Sequence, residues 1–323
     1  MATAKGSMVQ LMLAEEATWG STPATPAGYV IPVSGIGGAW YQRNLIDNPE
    51  LRGNRNPAAP VRGNVVVNGS FQAPLHLDAI GWVLKHGVGI PATTGTGDPY
   101  VHTGKVNFSG ATEDEDLPVG LSLEVGFVDI TEYHVYDGCR INSIAVSATS
   151  EGVCTFDVAV VGQGVTRAAT SMDATPTEYT TSAIDHFSAS ITEGGGAIAY
   201  VTDVNLTVSN NLDTSMYVVG GAGSLGDLPT GMASVTGSLT ALFQSDTLLA
   251  KGRAHTESSL GLTWTSSTHS LALTIPELVY EPAAPTISGP AGIRCTMNFR
   301  GYYGNHADKT ALKYVLTNAV ASY

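Results

Sequence analysis

Charge is scarce in this sequence. Asp, Glu, Lys and Arg make up 13% of its 323 residues, about half the usual share. A lone soluble subunit so thinly charged would be poorly defended against association, so its surface reads as one to be covered by neighbours. Bases are scarcer still, 15 against 28 acids, for a net charge of −13. A protein built to grip phosphates should be basic; this one would repel nucleic acid unless its bases were segregated. Cysteine occurs three times, at Cys139, Cys154 and Cys295, with no CxxC spacing. The odd count suits a reducing compartment, with the thiols acting as small buried apolar groups. No apolar run approaches the ~20 residues of a membrane-spanning helix. The opening stretch carries a single lysine, and its short apolar run is broken by Gln10 ahead of Glu15 and Glu16. No secretion signal is expected there, and the N-x-S/T patterns at Asn68, Asn107 and Asn205 should carry no glycan.

Catalytic and ligand-binding patterns are also missing. The eight histidines form no HxH, HxxxH or HExxH, which argues against zinc. Asp98 with His102 and His134 with Asp137 are near enough in sequence to suggest acid–base pairs, but loop proximity alone favours a structural role. The acidic run Glu113–Asp116 lacks the spaced ligands and the glycine of a calcium loop and reads as a solvated turn. "GAGSLG", Gly221 to Gly226, fits G-x-G-x-x-G, yet "DLPTG" follows it. A dinucleotide site needs a helix there, its N-terminus facing the pyrophosphate. With no P-loop and no GxSxG elbow, no enzyme, metal or cofactor is expected.

What is present is β-structure, said twice. Hydrophobic residues make up 43% and glycine numbers 37, and period-two alternation recurs along most of the chain. In "LSLEVGF", Leu121, Leu123, Val125 and Phe127 share a face, leaving Ser122 and Glu124 on the other. "INSIAVSATSEGVCTFDVAVV" predicts a hairpin turning at 150–152. Two stretches predict helices, at about 78–87 behind Asp78 and about 245–252 behind Ser245 or Asp246. The sequences "GNVVVNGSFQAPLHLD" from Gly63 and "GMASVTGSLTALFQSD" from Gly231 agree at six of sixteen positions when shifted by 168 residues. Each precedes a predicted helix. The chain is long for one core and comfortable for two, so we expect two tandem β-sandwich or barrel domains, 1–165 and 187–323, each with one helix. A Thr/Ser/Ala-rich linker at 166–186 should join them. Equivalent long loops fall at 40–63 and 210–231. The first carries Arg43, Arg52, Arg55 and Arg62; the second carries Asp213 and Asp227 and no base. Loops this long inside a compact domain are usually functional or disordered.

The order of these signatures resembles the major tail tube protein of long, non-contractile bacteriophage tails. The resemblance rests on "NPELRGNRN", "GNVVVNGSF" and "LDAIGWVLKHG", then "LSLEVGF" with "YHVYDGCRINSIAVSATSEGVCTFDVAVVGQG". It continues through "VNLTVSNNL", "GMASVTGSLTALFQSDTLLAKG" and "LALTIPELVY" to "GPAGIRCTMNFRGYYG". It spans most of 38–165 and 187–305, apart from a variable segment at 88–116. The resemblance implies a structural virion protein whose inner strands join between subunits into a β-lined channel. A doubled chain implies a trimer with pseudo-sixfold symmetry, stacked into a tube that conducts double-stranded DNA without holding it specifically. It further implies assembly in the host cytoplasm and partners at the tube ends and inside: tape measure protein, tail terminator, and distal tail or baseplate proteins. Acidic residues facing the channel would keep the duplex sliding, and the arginines of loop 40–63 would dock on acids of an adjacent ring. A tube of a related phage-like injection particle is the nearest alternative. A secreted β-rich adhesin should carry a signal peptide, and a carbohydrate-acting enzyme should carry paired carboxylates and aromatic platforms.

Overall fold

The computed structural model describes residues 3–38, 40–106, 117–198, 200–285, 287, 289–290 and 292–323. Among them are nineteen strands and two α-helices, and every strand ladder is antiparallel. The first half contains β1 (Val9–Glu16), β2 (Tyr29–Ile31), β3 (Gly35–Gly37), β4 (Gln42–Ile46) and β5 (Val61–Pro74). Then come α1 (Ile80–Gly87), β6 (Ala92–Thr94), β7 (Tyr100–Lys105), β8 (Gly120–Phe127), β9 (Glu132–Thr149), β10 (Thr155–Gly162) and β11 (Gly164–Ala168). The second half contains β12 (Ala189–Glu193), β13 (Gly196–Ala197), β14 (Val201–Ser209), β15 (Ser234–Leu242), α2 (Thr247–Ala254), β16 (Ser258–Ser266), β17 (His269–Tyr280), β18 (Arg294–Gly301) and β19 (Lys313–Asn318).

The ladders of the two halves correspond. In the first, β1 pairs with β2 and β8, β8 with β9, β9 with β10 and β11, and β5 with β10 and β3. In the second, β12 pairs with β13 and β16, β16 with β17, β17 with β18 and β19, and β15 with β18 and β14. Registers agree as well: Ile36 lies opposite Phe71, and Val204 opposite Leu239. Both members of that pair keep the 168-residue spacing of the sequence repeat. The repeated glycines have local reasons. A Cβ on Gly69 would lie 2.3 Å from the Trp40 ring; one on Gly237 would lie 2.1 Å from the Asn205 carbonyl oxygen and 2.4 Å from the Phe299 ring.

The halves are sewn together. The end of β9, from Ser143 to Thr149, pairs with β14, so one sheet runs β3–β5–β10–β9–β14–β15–β18. A second seam joins β7, part of the 88–116 segment, to β19. Buried apolar side chains of both halves form one continuous cluster, from Leu11 and Phe71 through Ile144 and Leu206 to Phe299 and Leu316. That continuity is what the alternation of each strand produces when strands of both halves share a sheet.

Several local expectations shift. β11 runs into the stretch expected as linker, and residues beyond it are tied down rather than loose. Ser171 Oγ and the Met172 amide donate to Glu124, and the Gly28 amide donates to Asp173. The strap therefore covers Glu124, while Ser122 of the same β8 face bonds Glu16 and Thr22; both residues, expected to meet solvent, are buried. α1 and α2 begin two residues later than expected, and neither Asp78 nor Asp246 caps its helix with its side chain. Loop 40–63 contains β4 and the start of β5, whereas 210–231 has no strand. The acidic run 113–116 and Asn107 lie outside the described residues.

Candidate functional site

The long sheet has one buried face and one polar face. Along β5, Val67, Gly69, Phe71 and Ala73 turn inward, while Asn68, Ser70 and Gln72 turn outward. The same alternation places Asp157 and Ala159 of β10, Ser143, Ala145 and Ser147 of β9, and Asn205 and Thr207 of β14 on the outward side. Thr236 and Ser238 of β15 and Thr296 and Asn298 of β18 continue it. The face is hollowed: Gly35, Gly37, Ser70, Gln72, Ser143, Ala145, Asp157 and Ala159 line a depression of about 440 Å³. Small side chains set this shape. Its charges are few and mixed, Asp157 and Asp203 against Arg294 and Arg300. The net negative charge of the chain is therefore not concentrated on this face.

Loop 210–231 of the second half folds back over one end of the first half. Leu225 and Leu228 pack on Val161, flanked by Trp19, Leu212 and Tyr217. Backbone bonds fix it. The Val65 amide donates to Gly223 O at 2.7 Å, and Tyr217 Oη donates to Val65 O at 3.0 Å. Gln163 Nε2 donates to Leu225 O at 2.8 Å, and Arg140 Nη1 to Leu228 O at 2.6 Å. Gly223 carries φ +86°, a left-handed conformation that glycine adopts without strain, where the loop meets Val65. The "GAGSLG" stretch thus serves as packing against β5.

Among the arginines, Arg43 takes part in this clasp: Nε donates to Gly63 O at 2.9 Å and Nη2 to Ala222 O at 2.6 Å. Arg52 pairs with Glu50 at 2.6 Å on the surface. Arg55 and Arg62 are exposed and make no side-chain hydrogen bond or ion pair among the described residues. Asp213 accepts from the amide and hydroxyl of Ser215, which hold its carboxyl below the usual range. Asp227 accepts from the Leu228 amide. Within one chain the structure brings Arg43 to the loop backbone and pairs none of the four arginines with Asp213 or Asp227.

The histidine pairs separate too. His102 bonds Thr93 and the Val320 carbonyl, while Asp98 bonds His269 at 2.7 Å. His134 packs edge-on against Phe127. The three cysteines are buried and unpaired. Among the described residues no group of three or more His, Cys, Asp or Glu side chains could hold a metal, and no helix is long and apolar enough to cross a membrane.

Sequence reasoning missed a set of buried polar anchors. Glu16 accepts from Ser122 Oγ and the amides of Gly20 and Gly138. Lys85 of α1 sits 2.6 Å from Glu15, which His86 also contacts at 2.9 Å. Burial alone would raise the Glu15 carboxyl, but bonds and charges from His86 and Lys85 outweigh it and bring it down to about 2. Burial lowers His86, against the pull of Glu15. Lys251 of α2 meets Glu193 at 2.6 Å and Ser258 at 3.1 Å.

The polar sheet face and the back-folded loop are the two most extended surface features among the described residues. Comparison with curated proteins finds no significant match. A family model described as "Phage tail tube protein" matches residues 6–301, nearly the whole chain, and the chain belongs to that family.

Proposed function

We propose that this chain is a doubled tube subunit, its halves related by internal duplication and filling two neighbouring places in a ring. Three chains then make a ring of six places, and stacked rings make the hollow tail tube. The observation that carries this reading is the β9–β14 seam, by which one half already extends the sheet of the other. β3, the counterpart of β14, is left with an open outer edge among the described residues. Open edges invite pairing with another chain, and heterologous contacts that close under rotation give rings. The same join repeated between chains would close the sheet into a bore.

The polar face is the surface we assign to that bore. Its Ser, Thr, Asn and Ala side chains, with scattered charges of both signs, offer phosphates no dense row of bases. A DNA duplex passing along it would meet no deep binding minimum. The protein would act in the virion tail, assembled in the host cytoplasm. It would contact itself laterally and axially, a tape measure protein within, and terminator and distal tail or baseplate proteins at the ends. No catalytic step is involved. Negative-stain microscopy of the purified protein, with native mass measurement, tests the reading. Rings with a central hole and three times the mass of the 33.5 kDa chain are expected; a monodisperse monomer at high concentration would remove it.

A further inference from the structure

We propose that the tip of loop 40–63 seats on the second half of a neighbouring copy within the same ring, at the patch that corresponds to the one loop 210–231 covers inside the chain. This rests on the ring reading above and adds to it the surface by which one copy recognises the next.

The patch is located by register. Loop 210–231 sits on Val65 and Val161. The 168-residue spacing carries Val65 to Ala233. Gly162 lies opposite Val67 and Gly301 opposite Val235, so Val161 corresponds to Arg300. In the first half this place is closed. In the second it is open: Met232 is 89% exposed and Tyr303 59%, Arg300 stands outward, and Ala233 has no backbone partner among the described residues.

The chain also carries the matching free element. Loop 40–63 occupies the position of loop 210–231 in the repeat, yet only its base is held, through Arg43 and the β4–β5 ladder. Its tip stands clear, with Leu51 100% exposed, and at the end of the ladder the side chains of Leu45 (68%) and Ile46 (48%) also turn to solvent. Glu50 is already paired with Arg52, and Arg300 with Glu281, so the contact this loop offers is mainly apolar. Each molecule thus has one filled clasp, one empty patch and one unseated loop. A second copy is the occupant that satisfies the patch and the loop together, because the same contact is already made once within the chain. The direction differs from an axial contact between rings: the seated loop holds neighbours side by side.

Two sets of variants test this. Leu51→Asp and Met232→Asp lie at exposed positions, so circular dichroism and the thermal midpoint of the monomer should not move. Ring formation should need at least ~10-fold more protein in each, since both remove apolar contact at the centre of the interface. In a Leu51→Cys/Met232→Cys double variant, a bifunctional maleimide added to isolated, unstacked rings should give covalent species of two and three chains, while either single variant should not. Wild-type rings together with unaltered ring formation by both aspartate variants would overturn the clasp and leave the ring intact. Cross-links found only within one chain, or only in stacked tubes, would overturn it equally. Wild-type protein that forms no ring removes the ring reading, and this inference with it.

Discussion

Lys251 on α2 and Glu193 on β12 meet at 2.6 Å, in the place that Lys85 and Glu15 occupy in the first half. The correspondence is positional. Glu15 lies opposite Leu121 in the β1–β8 ladder, and Glu193 lies opposite Leu260 in the β12–β16 ladder. Leu121 and Leu260 open the matching "LSLEV" and "LGLTW" stretches. Both ion pairs tie the helix to the first strand of its half, and nothing in the local sequence announces either.

The two pairs should respond unequally to loss of the lysine. Glu193 is 9% exposed, and after Lys251→Met it keeps the Ser258 hydroxyl and the neighbouring Tyr280 phenol but loses its positive charge partner. An uncompensated buried charge of this kind costs about 3 kcal/mol. Glu15 is 36% exposed and keeps His86 after Lys85→Met, so about 1 kcal/mol is expected. Chemical denaturation of both variants gives the difference directly; equal losses would show that the pairs are not energetically distinct.

Acid should weaken the first of these anchors. The Glu15 carboxyl titrates at about 2 in the fold against 4.5 ordinarily. A depressed carboxyl contributes stability at neutral pH that is lost as pH falls through this window. Wild-type stability should therefore drop between about pH 4.5 and pH 2 more than that of Glu15→Gln, and parallel profiles would contradict it.

Much of the sheet was legible from alternation, and the reason is visible in β5. Val67, Gly69 and Phe71 turn inward and Asn68 and Ser70 outward, as the sequence pattern requires of a half-buried strand. What escaped are features decided at long range. Ser122 and Glu124 look like solvent-facing residues until the 171–173 strap lies on Glu124, and Glu16 and Thr22 close on Ser122. The seating of Gly223 on Val65 joins positions 158 residues apart with backbone groups, which leave no mark in side-chain pattern. Short β4, β6 and β7 pair with few residues and carry too little alternation to stand out. For the loops, the sequence indicated position and charge; the clasp through Arg43 needed coordinates.

The repeated glycines make a sharper test of packing. Gly69→Ala drives a methyl into the Trp40 ring, a side chain that packs on Tyr136. Gly237→Ala drives one onto the Asn205 carbonyl of the neighbouring strand as well as the Phe299 ring. Backbone yields less than a side chain, so we expect about 1 kcal/mol for the first and about 3 kcal/mol for the second. Thermal unfolding of the two variants should reproduce that order.

The clasp of loop 210–231 should loosen without global unfolding when Arg43 is removed. Its guanidinium bonds Gly63 O and Ala222 O at once, a geometry that an ammonium does not reproduce. Arg43→Ala and Arg43→Lys should both speed chymotryptic cleavage near Tyr217 and Leu225, while the thermal midpoint moves by less than ~2 °C. Cleavage at the wild-type rate would show that Gln163, Arg140 and the Val65 amide hold the loop by themselves.

Glu124 should act in the opposite sense to Glu15. Its burial raises the carboxyl above its usual range, and the bonds from the Met172 amide and Ser171 hydroxyl only partly offset this. The folded chain therefore keeps a proton on Glu124 to higher pH than the unfolded chain does. The sign follows: stability falls as pH rises from the ordinary carboxyl range through the raised one. Glu124→Gln removes that titration. The amide oxygen can still accept from Met172, and its NH2 can donate to Ser171 Oγ, whose own proton then serves the Asp173 carbonyl. The variant should match the wild type near pH 4 and exceed it by pH 8, so that the difference in thermal midpoint grows with pH. Glu124→Ala, which leaves the Met172 amide without an acceptor, should instead lose stability at every pH and expose the 171–173 strap to protease. A difference between Glu124→Gln and wild type that stays flat from pH 4 to pH 8 would mean that the carboxylate is charged in the fold and that the strap is held by charge.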